Sequence, residues 1–236
     1  LSLVNNNELL FNDKKLSFDN EFIYISPLLE NVLKAIQMSF NNNRHVMIVG
    51  DEGTGKSYIA KFIAEYRDKH NDINYINDDG IYYCECTEEL KCSDLIGNQY
   101  PSLNSSKDNS QELMKWEDGF LTLSIINGKC CVLDNIEEAP ATITERLNGL
   151  LDKKLDVESD LIFEIPECPQ KNEVKINKNF RLLCVCNYNN ISKMSPAFLN
   201  RFDIITLEDQ IKFIANLNNA DTIFKELINM IIKQHS

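Results

Sequence analysis

The chain has 236 residues, 43% of them hydrophobic and 25% charged, enough to bury a well-packed core and too apolar for a disordered chain. Its formal net charge is −12, with no run of lysines or arginines to relieve it; such a surface repels phosphate backbones and argues against direct nucleic-acid binding. No apolar stretch approaches bilayer-spanning length and the N-terminus lacks a secretion signal, so neither a membrane anchor nor export is expected.

The first residue is Leu1 rather than methionine, and a segment of a longer chain is the expectation. Residues 1–25 read as a lead-in of mixed polarity. From Ser26, "SPLLENVLKAIQMSF" predicts a helix, with serine at the N-cap, proline at the first position, and Leu29, Val32, Leu33, Ile36 and Phe40 on one face. "HVMIV" (45–49) is a buried strand and "SYIAKFIAEYR" (57–67) a helix. "IYYCEC" is a second strand. "QELMKWEDGFLTLSII" reads as largely helical, with a turn near Asp118-Gly119. "CCVL" is a third strand, and "PATITERLNGLLD" a helix opened by proline. "LIFEI" and "EVKIN" can pair as a hairpin. "RLLCVC" is a fourth strand, "SPAFLNRF" a short helix, "DIITL" a fifth strand, and "NADTIFKELINMIIKQ" helical. Strands alternating with helices predict an α/β domain around a mostly parallel sheet.

Eight cysteines include two alternating pairs, Cys84 with Cys86 and Cys184 with Cys186, each pair on one face of its strand. There is no C-x-x-C, and His45, His70 and His235 are scattered, so buried free thiols are expected rather than a zinc site. That usage points to a reducing, intracellular compartment.

The first strand runs directly into "GDEGTGKS", a G-x-x-x-x-G-K-S loop with a strand before it and a helix after. Glycines at 50, 53 and 55 permit backbone angles that turn successive N–H groups inward as a nest for phosphate oxygens, and the following helix adds the positive end of its dipole. Lys56 can reach the β- and γ-phosphates, and the Ser57 hydroxyl can ligate magnesium. Gly50, Asp51, Glu52, Gly53, Thr54, Gly55, Lys56, Ser57 and Tyr58 are the expected nucleotide-binding residues. Asp134 ends a hydrophobic strand, hence at the carboxyl edge of the sheet where ligands collect, and is the expected second magnesium ligand.

With "SDLIG", "WEDGFL", "NGKCCVLDN", "ERLNGLLD", "EIPE", "NFRLLCVCN" and "SPAFLNRFD" following in that order, the chain resembles the AAA+ ATPases, in the dynein-related branch that includes midasin. The likeness runs from about Ser26 to Leu207. It implies a three-layer α/β/α P-loop fold with a five-stranded sheet of order 5-1-4-3-2, a nucleotide-binding core at 26–208, and a tail at 209–236 too short for a complete helical lid. It implies ATP and Mg2+ as ligands, and Asn187 as the amide that polarises the attacking water. Arg201 becomes an arginine finger offered to a neighbouring module, in a ring of copies or of linked units on one chain. By analogy with the family alone, Tyr24 or Ile25 would contact the base.

One position departs from the pattern. Most active AAA+ proteins follow the metal-binding aspartate with a glutamate that accepts a proton from water; here it is Asn135, which cannot. Glu137 or Glu138 could substitute along a slightly different loop path, so slow hydrolysis and binding without hydrolysis both stand. Guanine specificity by the GTPase route lacks its aspartate, since "NKNF" is the only N-K pair available, yet some AAA+ relatives use GTP and the base stays open. A helicase or clamp loader conflicts with the acidic charge.

Overall fold

The computed structural model describes residues 2–4, 8–10, 15–18, 21–24, 27–70, 81–101, 114–152, 161–168 and 172–207. The first elements are two antiparallel pairs, β1 (Ser2–Val4) with β2 (Glu8–Leu10) and β3 (Lys15–Phe18) with β4 (Glu21–Tyr24). Then come α1 (Pro27–Asn41), β5 (His45–Gly50), α2 (Lys56–His70), β6 (Tyr82–Glu85) and α3 (Cys92–Ile96). β7 (Gly97–Pro101), β8 (Met114–Asp118), α4 (Phe120–Asn127) and β9 (Cys130–Asp134) lead to a 3-10 turn at Ile136–Glu138 and α5 (Ala141–Leu151). β10 (Ile162–Glu164) and β11 (Glu173–Lys175) form the expected antiparallel hairpin. β12 (Arg181–Asn187), a 3-10 stretch at Tyr188–Lys193, α6 (Pro196–Leu199) and β13 (Phe202–Leu207) complete the described chain. The helical reading of the tail at 209–236 and the Ile25 position lie outside the described residues, as does the side chain of Tyr24.

The five central strands lie in the order β13-β5-β12-β9-β6, all parallel, which is the predicted 5-1-4-3-2. Parallel strands need crossovers, and the helices supplied by those crossovers cover both faces. The two-residue side-chain period sorts the core. Val46, Ile48, Cys130, Val132, Leu183 and Val185 pack with α1 and α2, while Met47, Val49, Cys131, Leu133, Leu182 and Cys184 pack with α3, α4 and α5. This is the three-layer α/β/α arrangement of a P-loop fold.

One prediction needs correction. The stretch before "FLTLSII" is not helical: Met114–Asp118 is a strand paired antiparallel with Gly97–Pro101, with Gln99 opposite Trp116; residues 111–113 lie outside the described ones. The pairing is held by close packing that local propensity does not report. Gly97 adopts φ 134°, and a Cβ there would lie 2.7 Å from the Trp116 ring, whose Nε1 donates to Asp118 at 2.8 Å. The helix begins only at Phe120.

Two buried groups give the core opposing responses to acid. His45 Nδ1 accepts the Leu182 N–H at 3.0 Å, and burial, aided by the Arg181 and Arg44 charges, holds its pKa down to about 3. Stability from neutral His45 is therefore present above its ordinary 6.5 and is lost as pH falls toward 3. Asp68 accepts the Cys130 N–H at 3.1 and 3.3 Å, and burial, opposed by Arg67, pushes it up to about 6. Its contribution is present below its ordinary 3.8 and is lost as pH rises through about 6. Between those limits the two slopes cancel. Asp68→Asn should unmask the histidine: between pH 6 and pH 4 the variant should lose about 3 kcal/mol more stability than the native chain. Denaturant unfolding at pH 4, 5 and 6 measures it, and parallel pH curves for the two chains would refute the assignment.

Candidate functional site

The carboxyl edge of the sheet gathers the chemistry. Gly50 at the end of β5 stands level with Asn187 on β12 and Leu207 on β13, and Asp134 at the end of β9 stands level with Glu85 on β6. The loop leaving β5 turns at Gly53 (φ 75°) and Gly55 (φ 84°), left-handed angles that glycine adopts without strain, and a side chain built at either would meet nothing within 4 Å. Such angles in successive turns are what lets backbone N–H groups converge as a phosphate nest. Lys56, 8% exposed, donates from Nζ to the Asp51 carbonyl at 2.7 Å, and Thr54 Oγ1 donates to the same carbonyl at 2.8 Å. Ser57 follows in the first turn of α2, whereas Tyr58 packs against the α1–α2 core.

Asp134 is 2% exposed, and alternation along β9 turns it, with Cys130 and Val132, toward α2. Its Oδ1 accepts the Asn135 N–H at 3.0 Å and its Oδ2 accepts the Tyr83 hydroxyl at 2.7 Å. Asn135 has φ 53°, a left-handed position that asparagine tolerates better than glutamate, and its Nδ2 lies 3.5 Å from Glu85 Oε1. The chain therefore enters the 3-10 turn at Ile136–Glu138 by a sharp reversal.

That reversal separates the two following acids. Glu138 goes outward to Lys193 at 3.3 Å. Glu137 goes inward: its Oε1 accepts the Asn187 backbone N–H at 2.7 Å, while its Oε2 is buried with no hydrogen-bond partner among the described residues. Burial, and then the neighbouring Glu137 charge, push the Cys186 thiol up to about 12, so it stays protonated there. The Asn187 side chain bridges onward, donating from Nδ2 to Glu52 Oε1 at 3.0 Å and accepting the Asn189 N–H at 3.1 Å. The phosphate loop, the fourth strand and the turn after Asp134 are thus joined through Glu52, Asn187 and Glu137.

Arg201 sits apart from this cluster. Its guanidinium forms a two-pronged pair with Asp152 at 2.6 and 3.0 Å and also donates to the Ala197 carbonyl. Tyr83, Glu85 and Asp152 were not singled out in the sequence. Tyr83 and Glu85 share a strand face, a signal visible in "YYCEC", but their partners depend on the register between strands. No group of three or more metal-ligating side chains of the His, Cys, Asp and Glu types exists among the described residues, and all eight cysteines are free. No helix among the described residues is long and apolar enough to cross a membrane.

A phosphate loop, a buried carboxylate two strands away at the same edge of the sheet, and hydroxyl and carboxylate oxygens as the donor set suit a nucleotide with a hard cation such as magnesium. The profile of the AAA domain (dynein-related subfamily) matches residues 45–202. Midasin of Dictyostelium discoideum is 26% identical over 217 residues, which is 90% of this chain and 3% of that protein. Midasin of Giardia intestinalis is 30% identical over 111 residues, 47% of this chain and 2% of that protein. An uncharacterised protein of Staphylococcus aureus (strain USA300) is 21% identical over 199 residues, 84% of this chain and 63% of its own length. The chain thus spans only a few hundredths of the midasins it is similar to. Motif, sheet order and profile agree, and the chain belongs to the AAA+ ATPases, in their dynein-related, midasin-like branch.

Proposed function

We propose that this module binds ATP with magnesium at the 50–57 loop and hydrolyses it with Glu137, coupling nucleotide state to movement against neighbouring AAA+ modules. The observation that carries this reading is Glu137: a half-buried glutamate with one oxygen fixed by the Asn187 N–H and the other, Oε2, buried without a partner among the described residues. A buried acceptor left unpaired costs free energy, and such sites are commonly completed by a ligand or water. In this reading the loop N–H groups and Lys56 hold the phosphates, and Ser57 and Asp134 hold the metal. Asn187 orients the attacking water and Glu137 takes its proton. Magnesium, when bound, offsets charge on the phosphate oxygens. Arg201 acts across an interface, on the nucleotide of a neighbour in the same chain or another copy. Free thiols fit a reducing, intracellular setting.

A second reading has its own observation. Asn135 stands where the usual proton acceptor would be, so the site could hold ATP as a structural ligand that stabilises a ring interface without cleaving it. Titration with fluorescent ATP and GTP, with and without magnesium, followed by phosphate release at several protein concentrations, separates the two. Magnesium-dependent binding with turnover that rises steeply with concentration is expected. Tight binding with no release would favour the structural reading, and no triphosphate binding would end both.

A further inference from the structure

We propose that Tyr83 is a positioning residue for a divalent cation: its phenol, on the outermost strand of the sheet, fixes the carboxylate of Asp134 in a metal-competent orientation. The inference rests on the reading of Ser57 and Asp134 as the metal-holding pair. Three contacts carry it. The Tyr83 hydroxyl donates to Asp134 Oδ2 at 2.7 Å. The other oxygen, Oδ1, accepts the Asn135 N–H at 3.0 Å, so the carboxylate is pinned at both ends while each oxygen retains a lone pair. Lys61 Nζ lies 3.8 Å from the centroid of the Tyr83 ring, a cation–π contact that ties β6 to α2.

The Lys61 contact supplies the geometry. Ser57 and Lys61 are four residues apart on α2, hence on one face and a single turn apart. Alternation turns Asp134 to that same side of the sheet, where Tyr83 also packs. One tyrosine therefore touches the helix that carries the candidate hydroxyl ligand and the strand that carries the candidate carboxylate. Groups that orient a metal ligand in this way set how well it binds the ion, and their loss typically costs about 10–100-fold in metal affinity.

The test is Tyr83→Phe, which keeps the ring and its Lys61 contact and removes only the hydroxyl. Fluorescent ATP is titrated in EDTA and again across a magnesium series, and Mn2+ binding to the nucleotide complex is followed by electron paramagnetic resonance. Expected is a rise of about 10–100-fold in the half-saturating cation concentration, with nucleotide affinity in EDTA unchanged. Equal cation dependence in the variant and the native chain would overturn the proposal. So would an equal loss with and without metal, the mark of a merely structural tyrosine. Tyr83→His, which keeps a ring donor, should fall between the two; if the Phe variant melts early, Tyr83→Met, which also lacks a donor, is read the same way, and native cation dependence there overturns the proposal instead. A native chain whose ATP affinity ignores magnesium would remove the Ser57–Asp134 reading itself, and this inference with it.

Discussion

Glu137→Gln is expected to lower ATP turnover by about 10²–10⁴-fold, the usual loss for a missing general base, while ATP affinity stays close to native. Glutamine preserves the volume and can still accept the Asn187 N–H through its own carbonyl oxygen, so the 2.7 Å contact that sets the side chain survives. What disappears is the capacity to take a proton at the second, unpartnered oxygen. Glu138→Gln is the matched control, because that acid points outward to Lys193 and should be nearly silent. Glu85→Gln tests the other carboxylate at the same sheet edge, held near the Asn135 amide at 3.5 Å. Phosphate release under single-turnover conditions reads all three. Native turnover in the Glu137 variant would move the base elsewhere, and a defect confined to the Glu85 variant would say where. Asn135→Glu is the converse experiment. It places an acid at the position most active relatives use, but in a left-handed conformation costing roughly 1 kcal/mol or more for a residue other than Gly, Asn or Asp.

The phosphate loop could be read from the sequence because its residues are contiguous and its geometry is local: strand, glycines, lysine, helix. The central strands were equally visible, since a strand buried on both faces is a nearly continuous apolar run, as in "CCVL" and "RLLCVC". β8 was not visible. Its residues are exposed or half-buried, their letters favour helix, and the strand exists because Trp116 packs over Gly97, a contact between positions far apart in the chain. The same physics hides half of the site. Tyr83 meets Asp134 only because β6 pairs with β9 in one register, and a slip of one residue would turn the phenol to the other face. Asn135 reads in the sequence as a missing acid; in the fold it is the residue that makes the left-handed step, and that step decides which of the two following glutamates turns inward.

Arg201→Ala should reduce turnover by about 10³–10⁵-fold if the residue serves a neighbour's nucleotide, the range by which an arginine finger accelerates phosphoryl transfer. Within one module the guanidinium is already engaged, both prongs on Asp152 and one nitrogen on the Ala197 carbonyl, so its reach across an interface requires exchanging one carboxylate for phosphoryl oxygens. The exchange is plausible in kind, because a planar fork matches either partner, and for that reason Arg201→Lys should not rescue. Asp152 is largely exposed, and an exposed pair contributes little to folding, so the alanine variant should melt close to the native temperature. Complementation separates a finger from a surface ion pair. Arg201→Ala keeps its own nucleotide site, and Lys56→Ala, which should lose the phosphates, keeps its arginine. Mixed at concentrations where the native chain has reached full specific activity, the two inactive chains should recover turnover at those interfaces where the intact site meets the intact arginine. Recovery that vanishes on dilution would establish action in trans. Two variants that remain inactive in every ratio would exclude action between separate chains, and an Arg201→Ala chain with native turnover would leave the arginine as the ion-pair partner of Asp152 and a cap for α6.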